Sequence, residues 1–188
     1  MDKTFGNDFV WYGHERMDQE SSSGSGGIGI LIRKNLGKVK LIKVRTRFDI
    51  LWVNLVCGLD SFFISVVYFP PNESNWDNFD DNICELEKDI MTFRNEGKVI
   101  VMGDFNSRIS NRPSVIHRGH DCFIYERKLA DHGIDKGVAT RRGIKLIESM
   151  NAMNMIIMNG IDSFLVMILH LNLIMVNQLM IILFSVTV

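Results

Sequence analysis

Cysteine is scarce in this chain. Its 188 residues hold three: Cys57, Cys84 and Cys122, an odd number at wide spacing with no C-x-x-C. That argues against a disulfide framework or a zinc site, and fits a reducing compartment. A charge excess is lacking too: 21 Lys and Arg stand against 22 Asp and Glu, a formal net charge of -1. No global basic field advertises a polyanion partner, so a nucleic acid would have to be met by local charge or a metal ion. The first residues, MDKTFGNDFVWYG, are polar and carry no apolar h-region, so they are no signal peptide; the expectation is an intracellular protein, the nucleus included. No internal repeat is visible. What is present is ordinary globular usage, 46% hydrophobic and 23% charged residues. That excludes overall disorder, and the length suffices for one domain with a core.

Glu20 to Gly27 is a loop of small residues. Ile28 to Ile32 reads as a strand, and Gly29 within it implies a close neighbour. KVKLIKVRTRF, Lys38 to Phe48, alternates charged and apolar residues, the period of a half-buried strand. DILWVNLVCG and SFFISVVYFPPN are strand-like, the second stopping at Pro70-Pro71. Between Asn75 and Asn95 the period changes. Trp76, Phe79, Ile83, Leu86, Ile90 and Phe93 recur at threes and fours, predicting an amphipathic helix ended by Gly97. VIVMGDF then returns to a strand. Arg108 to Ala139 is polar and reads as a long surface loop. Thr140 to Met153 reads as a helix with Ile144, Ile147 and Met150 in register, and MNMIIMNG as a last short strand ending at Gly160. Strands interleaved with helices predict an α/β layered protein.

Two strand ends carry candidate chemistry. Asp104 sits where a buried strand meets a loop, where a carboxylate can accept a proton from water or help hold a metal ion. Asn106 offers a donor and an acceptor, and Arg108 a planar fork for an anion. The same Gly-Asp-Phe-Asn is also ordinary turn chemistry after a strand. Tyr68 ends the other strand, and its hydroxyl could donate where charge develops; a tyrosine at a sheet end with its hydroxyl in solvent is the commoner case.

With these residues in place, the chain resembles the endonuclease/exonuclease/phosphatase superfamily, most of all the endonuclease domains of non-LTR (LINE-type) retrotransposons. GGIGILIRKNL resembles a glycine-led strand of that family, and DILWVNL and ISVVYFPPN the next two. VIVMGDFNSRI matches its most specific motif. RRGIKLIESMNAMNMIIMNG resembles the helix and strand that follow, with Gly143, Leu146, Asn154 and Gly160 in the expected places. The resemblance covers about residues 9 to 160. It implies a four-layered α/β sandwich that cleaves phosphodiesters, DNA above all, with Mg²⁺. Asp104 would orient or deprotonate the attacking water. Asn106 would fix Asp104 and the scissile phosphate, and Tyr68 would stabilise the charged transition state. Asn72 and Arg108 would touch substrate.

Family members begin with a strand bearing an Asn and another bearing the metal-binding Glu, and both would lie upstream of Met1. Glu15 and Glu20 are nearby carboxylates on what reads as a polar, solvated loop. Family members also end with an Asp-bearing strand and an Asp-His pair. Here residues 161–188 form an apolar tail instead, and residues 1–160 a partial domain truncated at both ends, inactive or weakly active. His117, His120 and His132, on the polar loop, match no known metal spacing. Phe164 to Phe184 is long enough to span a membrane, yet it contains His170, Asn172, Asn177 and Gln178 and lacks a basic flank. A third reading is a one-base slip of frame near Ser163. The shifted frame forces Asp from Met167-Ile168, Gly from Met175-Val176 and Asp from Met180-Ile181. It also allows Phe-Thr-Phe, then Gly-Lys-Ser-Val-Asn-Asp-Tyr, against the family's Phe-Thr-Phe and Gly-x-Ser-x-Ile-Asp-Tyr. A tail anchor, a divergent pair of core strands and a frameshifted catalytic strand are thus the three readings of the tail. Sequencing the locus and transcript decides the last: the expected result is a single-base shift that restores Gly-x-Ser-x-x-Asp near Met175, and a locus with no such shift refutes it.

Overall fold

The computed structural model describes residues 7–15, 26–71, 78–127, 137–159 and 179–183. In chain order these form β1 (Phe9–Glu15), β2 (Gly27–Arg33), β3 (Lys38–Arg45), β4 (Ile50–Cys57), β5 (Asp60–Tyr68), α1 (Phe79–Phe93), β6 (Lys98–Asp104), β7 (Ser114–Arg118), β8 (Asp121–Tyr125), α2 (Arg141–Ala152), β9 (Met155–Ile157) and β10 (Leu179–Leu183). Six of the strands make one mixed sheet in the order β3-β4-β5-β6-β10-β9. Its first three strands run antiparallel, and from β5 onward the pairing is parallel.

Strand alternation divides the central sheet into two faces. On one, Ile50 and Trp52 of β4, Phe63 and Val67 of β5, and Val99 and Val101 of β6 form a buried cluster with Ile83, Leu86 and Ile90 of α1 and Leu146 and Met150 of α2. On the other, Leu51, Val53 and Ile64 pack against Ile28 and Ile32 of β2. The antiparallel β1–β2 pair thus covers the face that the helices do not. The successive layers are helices, six-stranded sheet and two-stranded sheet. This is the mixed α/β class that the interleaved pattern predicts.

Several expectations need correction. The stretch from Arg108 to Ala139 is not a loop throughout: β7 and β8 pair as an antiparallel hairpin, Ser114 opposite Tyr125 and Arg118 opposite Asp121. A two-residue connection, Gly119-His120, closes it, a turn type that glycine favours. Ile116 packs with Ile156 and Met158, and Ser114 Oγ accepts from the Ile157 amide at 2.9 Å. The hairpin is therefore docked on the β9 segment. Glu15 is not on a loop but ends β1, opposite Gly27; Glu20 lies outside the described residues. The close neighbour expected at Gly29 is the Trp11 ring, which lies against both Gly13 and Gly29. The first residues of the expected Asn75–Asn95 helix lie outside the described ones, and the described helix begins at Phe79. The described part of the tail is strand β10, seated between β6 and β9. The remainder of the tail lies outside the described residues, and among those described no helix is long and apolar enough to cross a membrane.

One buried charge ties the helix layer to the sheet. Asp89 of α1 is 2% exposed. It accepts from Lys43 at 2.6 Å, from Arg45 at 2.7 and 2.8 Å, and from the Trp52 indole at 3.0 Å. Arg45 also pairs with Glu85. Burial pushes the Asp89 carboxyl up, but the hydrogen bonds from Arg45 and Lys43, with their charges, outweigh it and hold the group below its ordinary value. A depressed folded-state pKa contributes stability above the unfolded value, roughly 4, and that contribution is lost as pH falls through the folded value. Removing one member of such a buried set costs about 3 kcal/mol. Asp89→Asn should therefore unfold at lower urea near pH 7, with the gap to the parent narrowing below about pH 4; a gap independent of pH would refute the charge assignment.

Candidate active site at the ends of two parallel strands

The central strands bring two of the sequence candidates together. β5 and β6 pair in parallel register, so that Tyr68 stands directly opposite Asp104 at their C-terminal ends. Tyr68 packs with the cluster on the β1–β2 face. Asp104 follows Ile100 and Met102 at the same alternation on that side. Both residues are half-buried. A hydroxyl and a carboxylate thus share one edge and one face of a rigid sheet.

Each residue of Gly103-Asp104-Phe105-Asn106 has a local physical reason. Gly103 has φ +139°, and a Cβ there would overlap the Val67 carbonyl of the neighbouring strand, so only glycine permits this approach. The Asp104 carbonyl accepts from the Phe69 amide at 2.8 Å, and its Oδ1 accepts from the Asn106 amide at 2.8 Å. Among the described residues its second oxygen has no partner. Phe105 is 3% exposed and meets the Phe69 ring edge-on at 5.1 Å. Asn106 takes a left-handed backbone, φ +44°, which Asn tolerates better than most residues. Its Nδ2 donates to the Phe69 carbonyl at 2.8 Å. The turn chemistry and the site are therefore the same structure: Asn106 straps the β6 end to the β5 end, and its amide orients Asp104.

The other candidates are placed differently. Arg108 is exposed, and among the described residues no hydrogen bond or ion pair joins it to Asp104, Asn106 or Tyr68. Its backbone carbonyl has a structural task, accepting from the Thr140 amide at 2.9 Å. Thr140 in turn caps α2, its Oγ1 accepting from the Gly143 amide at 3.1 Å. A Cβ on Gly143 would overlap the Arg108 carbonyl, so glycine lets the first turn of α2 press onto this loop. Asn72 and His132 lie outside the described residues; His117 and His120 are exposed on the β7–β8 hairpin.

Two features escaped the sequence reading. Asp49, 5% exposed, takes a left-handed backbone at φ +45°, and its carbonyl accepts from the Tyr68 amide at 3.0 Å. It extends the row Asp104–Tyr68 along the same sheet edge; an Asp just before the apolar run ILWV was the available signal. The second is a cavity of about 490 Å³ where Asn106 meets the N-terminal turns of α1 and α2. Its signal was a pair of arginines directly after a capping threonine.

Mg²⁺ takes one or two carboxylates together with water and phosphate oxygens. Asp104 supplies one. Among the described residues no three His, Cys, Asp or Glu side chains converge, so these residues do not by themselves make up a metal site, and no step is derived through one. Comparison with protein-family models, with curated proteins and with solved structures finds no match.

The strap assigned to Asn106 is separable from its backbone conformation. Asn106→Gly keeps the left-handed turn and loses the side-chain bond, for an expected loss of about 1 kcal/mol in urea unfolding. Asn106→Ala loses the bond and adds strain, for an expected loss of about 2 kcal/mol or more. No cost for Asn106→Gly would show that the bond to Phe69 carries no stability, and equal costs for the two variants would show that the left-handed backbone adds no strain.

Proposed function

We propose that this chain is a phosphodiester-hydrolase domain of the endonuclease/exonuclease/phosphatase type, related to the DNA-nicking endonucleases of non-LTR retrotransposons, with a depleted active site and low turnover. The observation that carries this reading is the direct pairing of Tyr68 with Asp104 at the ends of β5 and β6. Both belong to the motifs on which the resemblance rests. The layers of helices, large sheet and small sheet are read as three of the four layers of that sandwich.

In this reading Asp104 uses its second carboxylate oxygen to accept the proton of an attacking water, or to orient it toward phosphorus. Oδ1 stays bonded to the Asn106 amide, which holds the carboxylate in one orientation as the proton moves. The Tyr68 phenol donates to a phosphate oxygen as its charge grows. Positioning and charge stabilisation are the main contributions a protein makes to phosphoryl chemistry. In the family Mg²⁺ supplies further charge neutralisation; with a single converging carboxylate described here, that contribution is weakened, hence the low turnover.

Conversion of supercoiled plasmid to the nicked circle in Mg²⁺ tests the proposal. Slow nicking is expected from the parent, with Asp104→Ala slower by about 100-fold, the scale of a lost general base. Tyr68→Phe should lose roughly 10-fold or more, the scale of one lost transition-state donor being larger in well-formed sites. Equal rates for the parent and Asp104→Ala would sink it.

A further inference from the structure

The cavity beside Asn106 is lined by more cations than carboxylates. Arg141, Arg142 and Lys145 line it against one carboxylate, Asp80, in a chain whose net charge is -1. Its volume of about 490 Å³ is that of a ligand pocket. The three cations are engaged differently. Lys145 lies 2.6 Å from Asp80, and the Arg142 guanidinium lies over the Phe79 ring, 4.4 Å from its centroid. Arg141 is exposed and, among the described residues, forms no ion pair.

The cations also stand where helix electrostatics disfavours them. A helix N-terminus stabilises negative charge and not positive. The first turn of α1 obeys this with Asp80 and Asp81. The first turn of α2 carries Arg141 and Arg142 and no acidic residue. Arg141 and Lys145, four residues apart on one helix face, repel each other as well. Phe79 offsets this for Arg142 and Asp80 for Lys145; Arg141 breaks the local rule with no ion pair among the described residues, which is the mark of a binding role.

The geometry points to a phosphate-binding subsite in this cavity, occupied by one nucleotide unit of a nucleic-acid strand. Arg141 supplies the planar fork that matches two phosphate oxygens, and Lys145 a second charge. Asn106 lines the cavity and also orients Asp104, so a strand held here passes beside the candidate active site. The choice of nucleic acid over a free nucleotide rests on the phosphodiester reading; the phosphate chemistry does not.

The test is binding of a labelled single-stranded oligodeoxynucleotide to the full chain, read by fluorescence anisotropy in EDTA at several salt concentrations. Arg141→Gln should weaken binding about tenfold and lower the salt slope by about one. Arg141→Glu should abolish binding while raising the melting temperature, because an acid at that position favours the helix. Lys40→Gln, on the exposed edge strand β3, should leave binding unchanged. Binding by Arg141→Gln within twofold of the parent overturns the inference. So does a deoxynucleoside monophosphate that competes as well as the oligonucleotide, which would give the cavity to a free nucleotide. No cleavage is read, so a failed nicking assay leaves this result standing, and loss of binding here leaves the assignment of Asp104 standing.

Discussion

Where β6 passes β5 at Gly103, the backbones lie so close that a single methyl group would overlap the Val67 carbonyl. This approach fixes the parallel register, and the register places Tyr68 opposite Asp104. The same approach lets the Asp104 carbonyl take the Phe69 amide and lets Asn106 reach the Phe69 carbonyl. A slip of one residue would turn Asp104 to the other face of the sheet, because side chains alternate with a period of two. The site therefore depends on a backbone contact that no candidate side chain makes.

Charge is handled in two opposite ways on the two helices that cover this sheet. On α1, Asp89 is buried and satisfied by Lys43, Arg45 and Trp52, so its charge belongs to the fold. On α2, Arg141 and Arg142 stand in a first turn without acids, at the rim of a cavity next to the strand ends. The first arrangement attaches β3 and β4 to the helix layer and exposes little to solvent. The second leaves positive charge lining a cavity to which Asn106 also contributes. On the inferred subsite, a polyanion meets the protein there despite a net charge of -1, since what it senses is local field and not total charge.

The main strands and helices were legible because their apolar residues follow a period or a continuous run. The threes and fours from Phe79 to Phe93 leave little choice, while the alternation in KVKLIKVR breaks at the adjacent Leu41 and Ile42, where the pairing of β3 with β4 shifts register. The candidate residues were legible as well, since Tyr68 and Asp104 each end an apolar run; that they face each other was not, because register is a property of two strands. The β7–β8 hairpin was missed because its exposed residues, His117, Cys122 and Ile124 among them, blur the alternation, although Gly119-His120 marked the turn. Its stability comes from Ser114 and from Asn151 and Asn154, whose side chains accept from the Val115 and His117 amides, bonds that no period announces. The cationic cavity was hidden for a similar reason: Asn106 and Lys145 are 39 positions apart in the chain, and only the fold makes them neighbours.

Strand β10 lies inside the sheet, between β6 and β9. It pairs with β6 and β9 through backbone groups, Met180 beside Ile100 and Leu183 beside Gly103. An inner parallel strand asks only for a continuous apolar run, and Leu-Met-Ile-Ile-Leu provides one. Tolerance of this kind does not extend to side chains that act on a substrate. On the proposed frameshift, the Asp forced at Met180-Ile181 would fall within this same strand, so the present residues keep its place in the sheet and lack its carboxylate. The backbone ladder would survive such a change, because it does not depend on which side chains the strand carries, and the apolar run would arise from the change itself. On that reading Asp104 keeps its position, held by Gly103 and Asn106, and loses the partners that its proposed chemistry calls for.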